Sequence, residues 1–300
     1  MATRAWICAV AIAVTVGASL VAIAPAAAQS AATVRKQAEA SLLVTGTIDL
    51  RADGTVVHHA LDETAALTPA LRDMIATAAA GWRFEPVTLD PGSQIGRARM
   101  SLRLVATKQG EDQVAVRIDS ASFGRRSVGA DRPWNELDEA ERARWKRDMA
   151  PPRYPQAALR AGAGATVYLV LKVAPDGAVQ DAVAEQTNLR FVASEPVMAR
   201  WRRQFEQASV AAAREWRLAP PDAEELREGA FASVRVPVSY FPPGATDVLG
   251  RGGWEVYVPG PRTIAPWLLG EPAGNDALVA GETYAVGTGL KLLTPLQPQG

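Results

Sequence analysis

The sequence predicts an α+β protein in which a strand, strand, helix, strand unit (β-β-α-β) occurs twice, each copy a small antiparallel sheet packed on a helix. One observation is a repeated stretch, because AAGWRFEPVTLD at 79–90 resembles AAREWRLAPPDA at 212–223, with Trp82 and Trp216 in register. The other is that the flanks repeat in the same order. Each tryptophan is preceded by an alternating apolar run with an Asp-Gly pair and followed by another alternating run.

The first unit is predicted to occupy residues 41–124. The run GTIDLRADGTV at 46–56 is typical of a hairpin, because an Asp-Gly turn supplies the positive φ that a tight connection needs. Thr68 can cap a helix and Pro69 suits the first helical position. The apolar residues that follow at helical spacing are Leu71, Met74, Ile75, Ala78 and Trp82.

Two more strands are predicted in this unit, over 97–105 and 113–123, and the sequence leaves open whether the second extends the same sheet. Residues 125–150 are predicted to form a charged linker with a helix over 136–148. A short polar lead-in, 30–40, precedes the unit.

The second unit is predicted to occupy residues 151–241, with a hairpin around the Asp-Gly pair in 166–179 and a closing strand within 231–241. A helix opens at Pro196, and its apolar face is predicted to contain Val197, Met198, Trp201, Phe205, Ala212 and Trp216. Three arginines of this helix are predicted to lie on its solvated face, with docking of an acidic partner as the alternative: Arg200, Arg202 and Arg203.

Composition restricts the function classes only weakly. The 300 residues are 48% hydrophobic, which is ample for two small cores. The 32 basic residues are balanced by 32 acidic ones, so no net field recruits nucleic acid, and none is predicted as a partner.

The amino-terminal residues 1–28 are predicted to be a secretory signal peptide. Arg4 precedes an apolar run that reaches about Ala24, and small residues follow at 26–28. The expected location is therefore the periplasm. The alternative is a retained inner-membrane anchor that faces the periplasm, and membrane contact is expected only in that case. Cys8 is the one cysteine, so a cleaved chain would contain no thiol.

Residues 242–300 form a tail rich in Gly and Pro that nevertheless contains Trp254, Tyr257, Trp267 and Tyr284. A flexible linker rarely contains so many aromatic residues, so part of this tail is predicted to pack on the rest of the protein.

The second unit resembles the carboxy-terminal domain of the TonB energy transducer family over residues 151–241. The residues that carry the resemblance are the Tyr154-Pro155 pair with Ala157 and Ala158, the Asp176-Gly177 turn, Trp216 with Pro220, and the closing Val-Pro-Val before an aromatic residue. The first unit resembles that domain more faintly over about 43–105, because it lacks the Tyr-Pro opening and has a shorter helix.

The resemblance implies two TonB-C-like repeats and a protein partner, such as an outer-membrane transporter, bound as an extended peptide by strand addition. The sheet edge expected to bind it is the last strand, because Pro237 cannot donate to a ladder and is tolerated mainly at edges. The predicted partner-binding residues are Tyr154, Pro155, Ser233, Val234, Arg235, Val236, Val238 and Tyr240.

Two departures from the family leave alternatives open. A cleavable amino terminus and the lack of a long Pro-rich spacer put energy transduction in doubt. One alternative is a self-capped structural module in which GGWEVYVPG at 252–260 covers the same edge, and another is a short membrane-anchored transducer. A homo-oligomer is also left open.

No enzymatic function, cofactor or metal is predicted. His58 and His59 are adjacent on a predicted strand, where neighbouring side chains point to opposite faces and cannot readily chelate one metal. No Gly-rich phosphate loop, HExxH helix or nucleophile elbow occurs in the sequence.

Overall fold

The computed structural model describes residues 30–62, 67–109, 113–124, 138–223, 225–226, 230–243, 253–271 and 274–297. The proposed signal peptide, residues 1–28, lies outside this part of the chain. The helices are α1 Ala31–Arg35, α2 Pro69–Gly81, α3 Glu139–Asp148, α4 Gln156–Ala161 and α5 Glu195–Ala213, with a 3₁₀ turn at Pro266–Leu268. The strands are β1 Glu39–Leu50, β2 Val56–Leu61, β3 Gly96–Lys108, β4 Val114–Phe123, β5 Ala165–Val173, β6 Val179–Leu189, β7 Ala232–Tyr240, β8 Glu255–Tyr257 and β9 Tyr284–Ala285.

The first sheet is antiparallel with strand order β2-β1-β3-β4, so the strand predicted at 113–123 does join it. Its even-numbered β1 and β3 residues, such as Leu42 and Leu102, face α2 and form one core with Trp82. Helix α2 begins where the sequence predicts, because the Thr68 hydroxyl accepts a bond from the Leu71 amide at 3.3 Å.

The second sheet is antiparallel with strand order β6-β5-β7-β9. One face of β5, including Val167 and Leu169, packs against α5 through Phe205 and Met198. The prediction of an α+β fold with small antiparallel sheets packed on helices is confirmed at this level.

The two sheets face each other, with α2 and α5 on their outer sides. Arg103 of β3 donates to the Tyr168 hydroxyl of β5 at 2.8 Å, which joins the two inner faces directly. Ala265 and Leu268 of the tail pack on Val170, on the inner face of the second sheet. The carboxy-terminal tail therefore lies partly between the sheets, which confirms that part of it packs on the rest of the protein.

One arginine of α5 contradicts the sequence-based prediction. Arg200 and Arg203 are exposed as expected, but Arg202 is buried. Its guanidinium donates to the Glu195 carboxylate at 2.8 Å and to the Pro259 carbonyl at 3.3 Å. The prediction of a solvated Arg202 was wrong because the tail covers this side of the helix.

Candidate functional site

The edge of the second sheet predicted to take a partner strand is the outer side of β7. Its inner side pairs along its whole length with β5, from Ala232 opposite Val173 to Tyr240 opposite Ala165. Its outer side pairs with β9 of the chain's own tail, with Val234 opposite Ala285. The predicted edge therefore exists, and a strand from the same chain already occupies part of it.

The tail follows this edge beyond the two residues of β9. The Val286 amide donates to the Ser233 carbonyl at 2.8 Å, and the Gly281 amide donates to the Pro237 carbonyl at 2.9 Å. Odd-numbered residues of β7 thus turn their backbone groups toward the tail. Pro237 lacks an N–H on this side, which explains why a proline is tolerated in the strand.

Most side chains predicted to meet a partner point into the second core instead. Val234, Val236 and Tyr240 are buried there, and Val238 is partly buried against it. The Tyr240 hydroxyl lies 2.7 Å from that of Ser209, and burial raises the pKa of Tyr240 to about 12. These residues stabilise the sheet, and the backbone groups that a partner strand could reach belong to the odd-numbered residues between them.

Tyr154 and Pro155 hold the entry of the chain into the second sheet. The Tyr154 hydroxyl donates to the Ala163 carbonyl at 2.7 Å, and its ring meets that of Tyr240 edge to face at 5.4 Å. Pro155 is the residue that precedes α4. Both are half-buried, so the geometry places them as structural anchors at the end of β7.

The remaining predicted residues lie where the tail crosses the inner face. Arg235 forms a two-pronged ion pair with Glu185, at 2.7 and 3.1 Å, and both side chains are largely buried. The Ser233 hydroxyl is buried and makes no hydrogen bond within the described residues. Neither charge of the ion pair is available to an incoming peptide while the tail is in place.

In the self-capped alternative residues 252–260 cover β7, but the described part of this stretch, 253–260, lies elsewhere. Residues Glu255–Tyr257 form β8, which pairs with β1 from Glu39 to Ser41. Val258 exchanges two backbone hydrogen bonds with Leu189 of β6, at 2.8 and 3.0 Å. The prediction was wrong about the segment, because its alternating residues join the first sheet to the far edge of the second, and residues 281–286 cover β7.

A buried polar cluster at the junction of the two sheets was missed from sequence. Arg103, only 6% exposed, donates to the Asp276 carbonyl at 2.9 Å and to the Ser41 hydroxyl at 2.7 Å, in addition to its bond to Tyr168. The Asp276 carboxylate accepts from Asn188 at 3.0 Å and is paired with Arg262. The cluster therefore ties both sheets and the tail together.

The electrostatics of this cluster favour a permanently charged arginine. Burial by itself lowers the pKa of Arg103, but Tyr168, Tyr257 and Asp276 raise it, and the net result is a raised pKa. Burial also raises the pKa of Tyr168 and of Tyr257. Both phenols are thus neutral at ordinary pH, and the Arg103 charge is stabilised by hydrogen bonds.

The sequence contained a signal for this cluster in the alternating arginines of RARMSLRLV, which place Arg97, Arg99 and Arg103 on one face of β3.

The other end of the same face borders a groove of about 560 Å³. Its lining includes Thr47, Arg97, Arg99 and Leu290. Arg97 is paired with Asp49 at 2.7 Å, and Arg99 is paired with Asp62 at 2.8 Å. Both cations of the groove are therefore paired with carboxylates of the same sheet region.

Comparison with known proteins identifies no relative: no family model, no curated protein and no solved structure matches this chain. Within the described ranges, no helix is long and apolar enough to cross a membrane. The same residues contain no cluster of three or more His, Cys, Asp or Glu side chains arranged to hold a metal ion. His58 and His59 lie on β2, as predicted for a surface strand.

Proposed function

We propose that this is an exported, non-enzymatic protein-binding module that contains two units of the TonB carboxy-terminal type, and that its strand-adding edge is capped by its own tail. The proposed location is the periplasm. The observation that carries the proposal is the antiparallel addition of β9 to β7. This is the backbone contact that an extended peptide makes in β-augmentation, here supplied in cis.

The duplication is supported by a set of contacts that recurs in both halves of the chain. The Phe84 amide donates to the Gly54 carbonyl at 3.0 Å, and the Leu218 amide donates to the Gly177 carbonyl at 2.8 Å. Isolated bridges follow in the same register, Thr55 with Arg83 and Ala178 with Arg217. The recurrence of turn, bridge and tryptophan at matched positions supports two copies of one β-β-α-β unit.

The self-capped form is favoured over a free binding edge because the tail is anchored on both sides of β9. Upstream, Asp276 is held by Arg262 and Asn188, and downstream Leu290 donates to the Phe123 carbonyl. An outer-membrane partner would have to displace residues 281–286 before its own strand could be added. We therefore propose that the resting protein is closed, and that a TonB-type partner interaction requires release of this segment.

The test compares two substitutions at one tail position. Val286→Pro removes the N–H that bonds to Ser233, whereas Val286→Ala shortens the side chain but keeps that N–H. The probe is a fluorescent peptide, GETYAVGT, that copies residues 281–288. We expect the proline variant to bind this peptide and to associate at high concentration, because a freed edge is a template for another strand.

The alanine variant is expected to remain closed, bind no peptide and stay monomeric. Fluorescence anisotropy measures binding, and sedimentation velocity measures association. If the proline variant binds no peptide although its residues 281–286 lose protection from hydrogen exchange, the edge does not accept strands and the proposed function is wrong.

A further inference from the structure

Residues 290–293 lie in an extended conformation along the first unit. The Leu290 amide donates to the Phe123 carbonyl at 2.9 Å, the Glu85 amide donates to the Lys291 carbonyl at 3.0 Å, and the Leu293 amide donates to the Arg83 carbonyl at 2.8 Å. Leu292 forms an antiparallel bridge with Phe84. Residues 290–293 are thus held between two backbone segments, one after α2 and one at the end of β4.

The side chains of this segment alternate between packing on the core and pointing outward, as in a peptide bound in a groove. Leu290, Leu292 and Leu296 pack against the first core, whereas Leu293 is 59% exposed. Lys291 points outward to the Glu85 carboxylate at 2.7 Å. Main-chain bonds combined with alternate buried side chains are the two features that give affinity and selectivity in extended-peptide recognition.

Residues 294–297 also accept hydrogen bonds from polar groups of the first unit. The Trp82 indole, whose residue is fully buried, donates to the Leu296 carbonyl at 3.1 Å. The Ile118 amide donates to the Gln297 side chain at 3.0 Å, and the Arg83 amide donates to the Thr294 hydroxyl at 3.1 Å. Without this segment, the Trp82 N–H would lose its acceptor in the core, which is costly for a buried donor.

In the second unit the chain that precedes the sheet fills the same role. The Trp216 indole donates to the Ala150 carbonyl at 2.8 Å, and the Arg217 amide donates to the Asp148 carbonyl at 2.8 Å. In the first unit no described residue before β1 takes this position, and residues 294–296 occupy it. The hydrogen-bond acceptors beside the tryptophan therefore come from residues just upstream of the sheet in the second unit, and from residues 294–296 in the first unit.

We propose that the first unit contains a peptide-binding groove, loaded in cis by residues 290–297, for extended peptides with leucine at alternate positions followed by Pro-Leu. The occupant is joined to β9 only through the exposed residues 287–289, so it is separable from the groove by cutting one loop. Its contacts involve the first sheet and not β7, so the proposal does not depend on the strand-adding edge.

The experiment uses the full chain with a specific protease site inserted between Gly287 and Thr288. After cleavage, the protein is unfolded in urea and refolded with an excess of a fluorescent peptide that copies residues 288–300, so that slow release of the resident peptide cannot mask exchange. Peptide incorporation is measured after size-exclusion chromatography, and affinity by competition. Two competitor peptides differ at adjacent positions, Leu292→Ser at a partly buried site and Leu293→Ser at an exposed one.

We expect saturable incorporation of one peptide per chain. The Leu292→Ser peptide should compete about threefold to tenfold weaker, because this leucine is partly buried and full burial would contribute roughly 1.5–3 kcal/mol. Leu293→Ser should compete nearly as well as the unchanged peptide. Failure of the unchanged peptide to bind, or equal competition by the two serine peptides, would overturn the proposal. In the cleaved protein the tail still covers the β7 edge. The contacts of Val286 with that edge therefore test the proposed function separately from this proposal.

Discussion

At the residue scale, two glycines determine how each hairpin meets the segment after its helix. Gly54 and Gly177 have φ of 81° and 84°, and their carbonyls accept the hydrogen bonds from the Phe84 and Leu218 amides. A side-chain carbon at Gly177 would overlap the Leu218 carbonyl oxygen. Glycine is therefore needed at each Asp-Gly pair for two reasons. The turn requires a positive φ, and the backbone of the segment after the helix lies directly against the glycine.

This requirement predicts different costs for two glycine substitutions. Gly92 has the same φ of 84° as Gly177, but a side-chain carbon there would meet nothing within 4 Å. Gly92→Ala should lower the free energy of unfolding by about 1–2 kcal/mol, the cost of a left-handed alanine. Gly177→Ala should lower it by roughly 2–5 kcal/mol, since overpacking adds to that cost.

Urea denaturation of both variants measures these differences. Equal destabilisation by the two substitutions would mean that the close approach of Leu218 to Gly177 contributes nothing to stability.

At the element scale, α5 serves both the second core and the tail. Met198 and Phe205 face the sheet, while Arg202 reaches the tail at Pro259. Next to this contact, the Gly260 amide donates to the Asn188 side chain at 3.1 Å and Val258 pairs with Leu189. The helix therefore holds the tail against the outer edge of β6, where that edge would otherwise be open.

Substitution of neighbouring arginines on α5 tests this role. Arg202→Met should lower the free energy of unfolding by about 1–3 kcal/mol, because it removes hydrogen bonds made by a buried charged group. It should also speed hydrogen exchange at the amides of Val258 and Gly260. Arg203→Met, at an exposed position of the same helix, should change neither quantity.

Hydrogen exchange followed by mass spectrometry measures both variants. Unchanged exchange in the Arg202 variant would show that the tail is held by its strand contacts alone.

At the scale of the whole molecule, the tail joins the two sheets into one structure. It adds β8 to β1, bridges to β6, adds β9 to β7 and ends on the first core. The cluster around Arg103 lies where these contacts converge. Because Arg103 also bonds to Tyr168 of the second sheet and Asp276 of the tail, its full set of hydrogen bonds forms only when both sheets and the tail are in place.

Two arginines on the same face of β3 provide the corresponding test. Arg103→Met should lower the free energy of unfolding by about 3–5 kcal/mol, because it breaks a buried charged network and leaves polar partners unpaired. It should also separate the unfolding of the two sheets, so that calorimetry shows two transitions. Arg97→Met removes an exposed guanidinium that pairs with the buried Asp49 inside the first sheet, and it should leave the number of transitions unchanged.

A single cooperative transition in the Arg103 variant, at nearly unchanged temperature, would contradict the view that this cluster couples the sheets.

The strand that forms the candidate edge could be predicted from local sequence pattern. The period of two in β5 and β7 and the position of Pro237 identified an edge strand, and both signals depend on neighbours within a few residues. The occupant of that edge was predicted incorrectly. Residues 255–257 and 284–285 have comparable strand patterns, and only their positions in space determine which sheet each one joins.

The hairpins, α2, α5 and the two tryptophan anchors follow from short-range periodicity, turn chemistry and capping, because those forces act between residues close in the chain. Burial of Arg103 and Arg202, closure of the β7 edge and completion of the first core by Leu290 and Leu296 depend on the path of the tail. That path is set by contacts between residues up to 218 positions apart, as between Glu39 and Tyr257, and such contacts leave no periodic trace in the sequence. Local pattern therefore defines the strands and helices, whereas long-range packing decides which of their edges and charges remain available for binding.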